Sequence, residues 1–214
     1  MTNRSIVALK FVVFPACLIP LGDLVYRGFT NALGPDPVTT ITHTTGFWTL
    51  YFLLISLAIT PVRRLSSRLT WLIRFRRMLG LFAFFYVTLH LFTWIWLYSN
   101  FDVHAMLDDI VKRPFITIGM LGWVCLFLLA LTSTAWAIRK LGGKRWTQLH
   151  RLVYVAAIAG VVHYWWIVKA GVLTPWKVTA ILAALLFARI IWSVRQAEGK
   201  RSSSSPRRAF RVKN

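Results

Sequence analysis

Apolar residues in this chain collect in long runs, separated by short connections rich in arginine, proline, glycine or serine. Six such runs, at about 8–28, 45–62, 79–98, 115–137, 150–168 and 174–193, are each about 18 to 23 residues long. At about 1.5 Å per helical residue, that length crosses a hydrocarbon core of about 30 Å. The pattern predicts an all-α polytopic membrane protein, a six-transmembrane-helix bundle. The first run contains Pro15 and Pro20 and leads into Gly22-Asp23 without a small-residue cleavage pattern, so it reads as a retained helix rather than a signal peptide. One transmembrane domain fills residues 1–195, and residues 196–214 form a basic, serine-rich tail expected to be disordered against anionic headgroups. Two connections are candidate docking surfaces: a mostly extended stretch at 31–45 with Gly34-Pro35-Asp36-Pro37, and a loop at 99–113 with Asp102, Asp108 and Asp109.

Composition agrees with that class, since 57% hydrophobic residues in a chain of 214 exceed what a soluble domain carries. The charge pattern sets an orientation, because cation-rich loops stay cytoplasmic. Of 26 Lys and Arg residues, 21 fall on one side if the N-terminus is inside, and five of the six acids fall on the other. Both termini are therefore expected in the cytoplasm. The formal charge of +20 would suggest nucleic acid in a soluble protein, but here it is the positive-inside signal, so no nucleic-acid partner is expected. Cys17 and Cys125 lie in separate runs without CxxC spacing, which argues against a disulfide or a metal site built on them.

Ionisable groups deep inside membrane helices are costly and read as functional. His90 and His163 lie in separate runs, each about a dozen residues from its Arg-rich entrance, or roughly 18 and 20 Å into the membrane. Two imidazoles at one height form a candidate clamp for a haem. Gly160, one turn before His163, removes bulk that would keep a flat macrocycle away. His150 stands at the mouth of the fifth run, with Arg76 and Arg77 rather than a histidine at the matching level of the third. Thirteen residues separate His150 from His163, which leaves the rings roughly 140° apart on an ideal helix. His104, in the outer loop, is expected to be solvated, and His43, at the outer edge of the second run, to have a structural or interfacial role. Trp94, Trp96, Tyr98, Trp165 and Trp166 read as an interfacial aromatic belt.

The run Arg74-Phe-Arg76-Arg77-Met-Leu-Gly80-Leu with His90, the segment Arg113-Pro-Phe-Ile-Thr-Ile-Gly119, and Leu131-Thr-Ser133 followed by Lys144-Arg145-Trp146-Thr-Gln-Leu-His150-Arg-Leu-Val-Tyr154 and His163-Tyr resemble the MsrQ family. That family lies within the ferric-reductase-like transmembrane superfamily, and the resemblance covers about residues 10–195. It implies a haem-binding electron-transfer subunit of a protein-methionine-sulfoxide reductase system in the bacterial inner membrane. Electrons would pass through haem b and FMN to a periplasmic molybdopterin catalytic subunit, the MsrP type, which repairs oxidised proteins. The family's haem-associated histidines map onto His90, His150 and His163, with His90 and His163 as the axial ligands of one haem. FMN, or a second haem ligated differently, would sit near His150, Arg76, Arg77, Lys144, Arg145 and Trp146. Inner cations, Arg74 among them, suit an FMN phosphate or haem propionates, because guanidinium forks match phosphate geometry.

No glycine-rich phosphate loop occurs, so no nicotinamide-binding domain is expected here and electrons must come from a cytoplasmic flavin reductase or membrane quinol. The alternatives are a stand-alone ferric or cupric reductase or cytochrome b, and, from a different class, a non-redox transporter. Outer His and Asp clusters would favour the former. Midplane acids or inverted repeats would favour the latter, and no acid falls near a midplane.

Overall fold

The structure, a computed structural model, describes residues 2–168 and 174–204. Lys169 and the last part of the basic tail, 205–214, lie outside the described residues. Among the described residues the chain is helical, without strands. Helices α1 (Asn3–Phe29), α2 (Pro37–Leu65) and α3 (Ile73–Thr93) are followed by α4 (Val103–Lys112), α5 (Pro114–Leu131), α6 (Ala135–Leu141), α7 (Gly143–Leu149), α8 (Leu152–Ile167) and α9 (Thr174–Ser204). A short tight turn at Ser67–Leu72 leads into α3 and a wide turn at Trp94–Tyr98 leads out of it.

Five of these segments are long and apolar enough to cross a membrane: Asn3–Phe29, Pro37–Leu65, Ser67–Tyr98, Pro114–Leu131 and Pro175–Gln196. The sixth expected span is α8, which has 16 residues because the chain turns at His150 and Arg151 before the helix begins. One face packs into the bundle, burying Ala156, Ala157, Ala159 and Val161, while Val155 and Ile158 on the other face are exposed.

Local chemistry moves three boundaries away from the hydropathy pattern. α2 begins at Pro37, where an extended stretch was expected, because Asp36 caps it by accepting the Thr39 N–H at 3.0 Å and proline suits the first helical position. The expected outer loop contains α4, capped by Asp102, whose carboxylate accepts from the N–H groups of His104 and Ala105. The fourth run ends early, at Leu131. There the Thr132 and Ser133 hydroxyls bond back to the carbonyls of Leu128 and Leu129 and compete with the helix for them.

α2 and α3 form the centre of the core. Leu53 and Leu57 of α2 and Phe82, Ala83 and Tyr86 of α3 are buried with Cys17, Cys125, Leu126, Ala156, Ala157, Val178 and Leu182 from the surrounding helices. Both cysteines are free. Close approach depends on small residues, as expected where apolar packing against lipid gives no net gain: a Cβ on Gly122 would be 3.7 Å from the Ala159 Cβ.

Polar side chains bond the helix backbone beside two of the prolines, where a lipid-buried backbone must find its partners internally. Near Pro20, the Tyr86 hydroxyl enters α1, accepting from the Leu21 N–H at 3.2 Å and donating to the Cys17 carbonyl at 2.9 Å. In α2, Pro61 has no N–H for the Leu57 carbonyl, and Arg189 of α9 supplies that donor through Nη2 at 2.6 Å.

Candidate cofactor site between His90 and His163

The last turn of α3 presents His90 and the second half of α8 presents His163. Their ring centroids lie 5.9 Å apart with the planes at 89°. Both rings line one cavity of about 440 Å³, within the roughly 300–1,000 Å³ typical of small-molecule and cofactor sites. The two depths inferred from the sequence therefore meet at one level.

Each imidazole is held in the same way by a neighbouring helix. His90 Nδ1 donates to the Thr42 carbonyl of α2 at 2.9 Å, and His163 Nδ1 donates to the Phe115 carbonyl of α5 at 2.6 Å. A carbonyl only accepts, so Nδ1 carries the proton in both rings, and in the neutral imidazole Nε2 keeps its lone pair. In each case the residue four positions after that carbonyl is a glycine, Gly46 and Gly119, and the imidazole lies over it. A Cβ on Gly46 would be 3.2 Å from His90 Nδ1, and one on Gly119 would be 2.9 Å from His163 Nδ1. The two glycines are cradles for the two rings.

These features fit a haem held by two axial histidines. Metal–imidazole bonds of about 2 Å on either side of an iron put the ring centroids roughly 6 Å apart. A ligating histidine also characteristically donates its other N–H to a carbonyl, which fixes tautomer and ring orientation. The lining is mainly apolar, including Leu50, Leu53, Val87 and Leu126, while Arg113, His43 and Trp94 supply polar groups. The Trp94 indole N–H is buried and unpartnered. These groups suit the carboxylates of a porphyrin.

Other sequence expectations come out differently. Gly160 lines the cavity, but the space left by its missing Cβ is taken by Leu50, whose Cδ2 would stand 2.9 Å away. Of the expected aromatic belt, Trp94, Tyr98 and Trp166 line the cavity. His104 is exposed on α4, and His43 is exposed on α2 while also lining the cavity.

A second cluster surrounds His150. Trp146 stacks on it with centroids 3.9 Å apart and donates its indole N–H to the Thr132 carbonyl at 2.9 Å, while the Thr132 hydroxyl meets His150 Nε2 at 3.3 Å. The turn at His150 and Arg151 interrupts the helix, so the ideal-helix angle to His163 does not apply. Arg76 lies beside His150, half-buried. Arg77, Lys144 and Arg145 are exposed. Sequence reasoning missed Gly46 as a cradle, Trp94 as a cavity residue and Arg189 as the donor at Pro61; an isolated glycine inside a helical run was the available signal for the first.

By fold and site the chain is a multi-pass membrane protein of the ferric-reductase-like transmembrane class. Residues 45–161 match the family model described as "Ferric reductase like transmembrane component". Similar curated proteins carry the name protein-methionine-sulfoxide reductase heme-binding subunit MsrQ. That of Herminiimonas arsenicoxydans is 53% identical over 188 residues, covering 86% of this chain and 85% of the relative. Those of Ralstonia nicotianae and Rhodospirillum rubrum are 45% and 48% identical, covering 91% of this chain and 90% and 93% of the relatives. The chain belongs to the MsrQ family.

Proposed function

We propose that this chain is the haem-binding electron-transfer subunit of a methionine-sulfoxide reductase system in the bacterial inner membrane, with His90 and His163 as the axial ligands of one haem b. The observation that supports this most is the matched pair of carbonyl-anchored imidazoles over Gly46 and Gly119 in one cavity. A haem held there by His90 and His163 would supply a one-electron couple. The chain's own residues fix the ligand tautomers, exclude water with an apolar lining and offer Arg113, His43 and Trp94 to the propionates.

With both termini cytoplasmic, the histidine pair lies in the outer half of the membrane, on the side of a periplasmic molybdopterin catalytic subunit of the MsrP type. The chain itself performs no sulfoxide chemistry. Electrons enter at the opposite end from a cytoplasmic flavin reductase or membrane quinol. A second cofactor, FMN or another haem, sits there near His150 and Trp146, with Arg76, Arg77, Lys144 and Arg145 as the surrounding cations.

The test is the reduced-minus-oxidised absorption spectrum of detergent-purified protein beside His90→Ala, His163→Ala and His150→Ala, with released flavin quantified. A low-spin b-type spectrum lost in the first two variants is the expected result. Colourless protein from haem-sufficient cells overturns the reading.

A further inference from the structure

Three arginines from three helices converge at the end of the bundle nearer His150. Arg76 of α3 has Arg189 of α9, Tyr154 of α8 and Arg63 of α2 as its charged and titratable neighbours, and it is itself a charged neighbour of His150. A bond from the Ser56 hydroxyl to the Arg76 carbonyl at 3.2 Å ties α2 and α3 together at this level. Arg189 is fixed from two sides, by Nη1 to the Tyr154 hydroxyl at 2.5 Å and by Nη2 to the Leu57 carbonyl. Among the described residues none of the three arginines is paired with a carboxylate. The ion pairs among the described residues, Asp23–Arg27, Asp108–Lys112 and Asp109–Arg113, all lie elsewhere. Glu198, the acid nearest in sequence to Arg189, is exposed.

Unmet hydrogen-bonding capacity accumulates at the same place. Four buried side-chain polar atoms lack a partner among the described residues; two of them, Arg63 Nε and Arg189 Nε, belong to this cluster, and a third, Thr60 Oγ1, lies on α2 one turn from both Ser56 and Arg63. Each can donate. The three side chains are half-buried, and neighbouring guanidiniums that repel one another while keeping buried free donors are stabilised by a compensating negative charge. Guanidinium forks and a hydroxyl match the oxygens of a phosphate group.

We propose that Arg63, Arg76 and Arg189, with the Thr60 hydroxyl, form an internal site for a phosphate group. This deepens the reading of a second cofactor near His150 and is independent of the haem at His90 and His163. Two sources carry that chemistry: the phosphate ester of a flavin nucleotide, and the headgroup of an anionic phospholipid entering from the inner leaflet.

The experiment compares FMN with riboflavin, which has the same ring system and no phosphate, by flavin fluorescence on purified full-length protein. Arg63→Gln is the main variant, because no intramolecular hydrogen bond of the Arg63 side chain is seen, and Arg63→Lys keeps the charge. A second arm measures the melting temperature of delipidated protein with added phosphatidylglycerol. FMN binding roughly tenfold tighter than riboflavin, with the difference lost in Arg63→Gln and partly kept in Arg63→Lys, supports the site and assigns the nucleotide. Equal flavin affinities with stabilisation by phosphatidylglycerol in wild type but not in Arg63→Gln support the site and assign the lipid. No difference between wild type and Arg63→Gln in either arm overturns it. An unchanged haem spectrum in Arg63→Gln keeps this outcome separate from the haem reading.

Discussion

The His163 ring occupies the space that a side chain at Gly119 would fill, with Nδ1 2.9 Å from the ideal Cβ position. That distance is shorter than real Cβ contacts tolerate, and the ring cannot retreat without losing its bond to the Phe115 carbonyl. Gly119→Ala is therefore expected to lower haem affinity by about tenfold or more, the scale of changes behind a metal-ligating histidine. Gly46→Ala, with its Cβ 3.2 Å from His90, is expected to cost less. Haem per protein and the reduction potential of the retained haem check both, and equal retention in wild type and Gly119→Ala would refute the cradle.

Arg189 and Pro61 form a testable pair, because the arginine replaces a donor that the proline removed. Arg189→Ala leaves the Leu57 carbonyl without a partner and is expected to destabilise by about 1–3 kcal/mol. In a Pro61→Ala background the helix regains its own N–H, so the cost of Arg189→Ala should shrink. Denaturation of all four proteins in mixed micelles measures the coupling.

Tyr86 is buried, and its hydroxyl serves two backbone groups of α1. Tyr86→Phe preserves the ring and removes the hydroxyl bonded to both groups, an expected loss of about 1–3 kcal/mol. The prediction fails if the melting temperature is unchanged.

Asp36 gives a pH dependence outside the membrane. The Thr39 hydroxyl donates to its carboxylate at 2.6 Å, and that bond, then the Thr39 N–H, holds the carboxyl below its ordinary value of 3.8. A lowered folded value means that the cap stabilises the protein fully above 3.8 and that this is lost as acidification passes the lower value. The difference in melting temperature between wild type and Asp36→Ala should therefore be constant from about pH 7 to about pH 5 and shrink as acidification carries the pH past 3.8 and through the lower folded value. A constant difference throughout would contradict it.

The apolar runs by themselves determined a helical membrane protein, because covering a length of lipid depends on local composition alone. The position of His90 and His163 within those runs also set their common depth, since rise per residue is a local property. What holds the rings was decided only in three dimensions: the Thr42 and Phe115 carbonyls lie on other helices, and Gly46 and Gly119 become cradles only when an imidazole reaches them. The same holds for Arg63, Arg76 and Arg189, which in sequence are three of many inner cations and in the fold are neighbours without an ion pair among the described residues. Charge compensation and close approach depend on which helices pack together, and hydropathy does not encode helix partners.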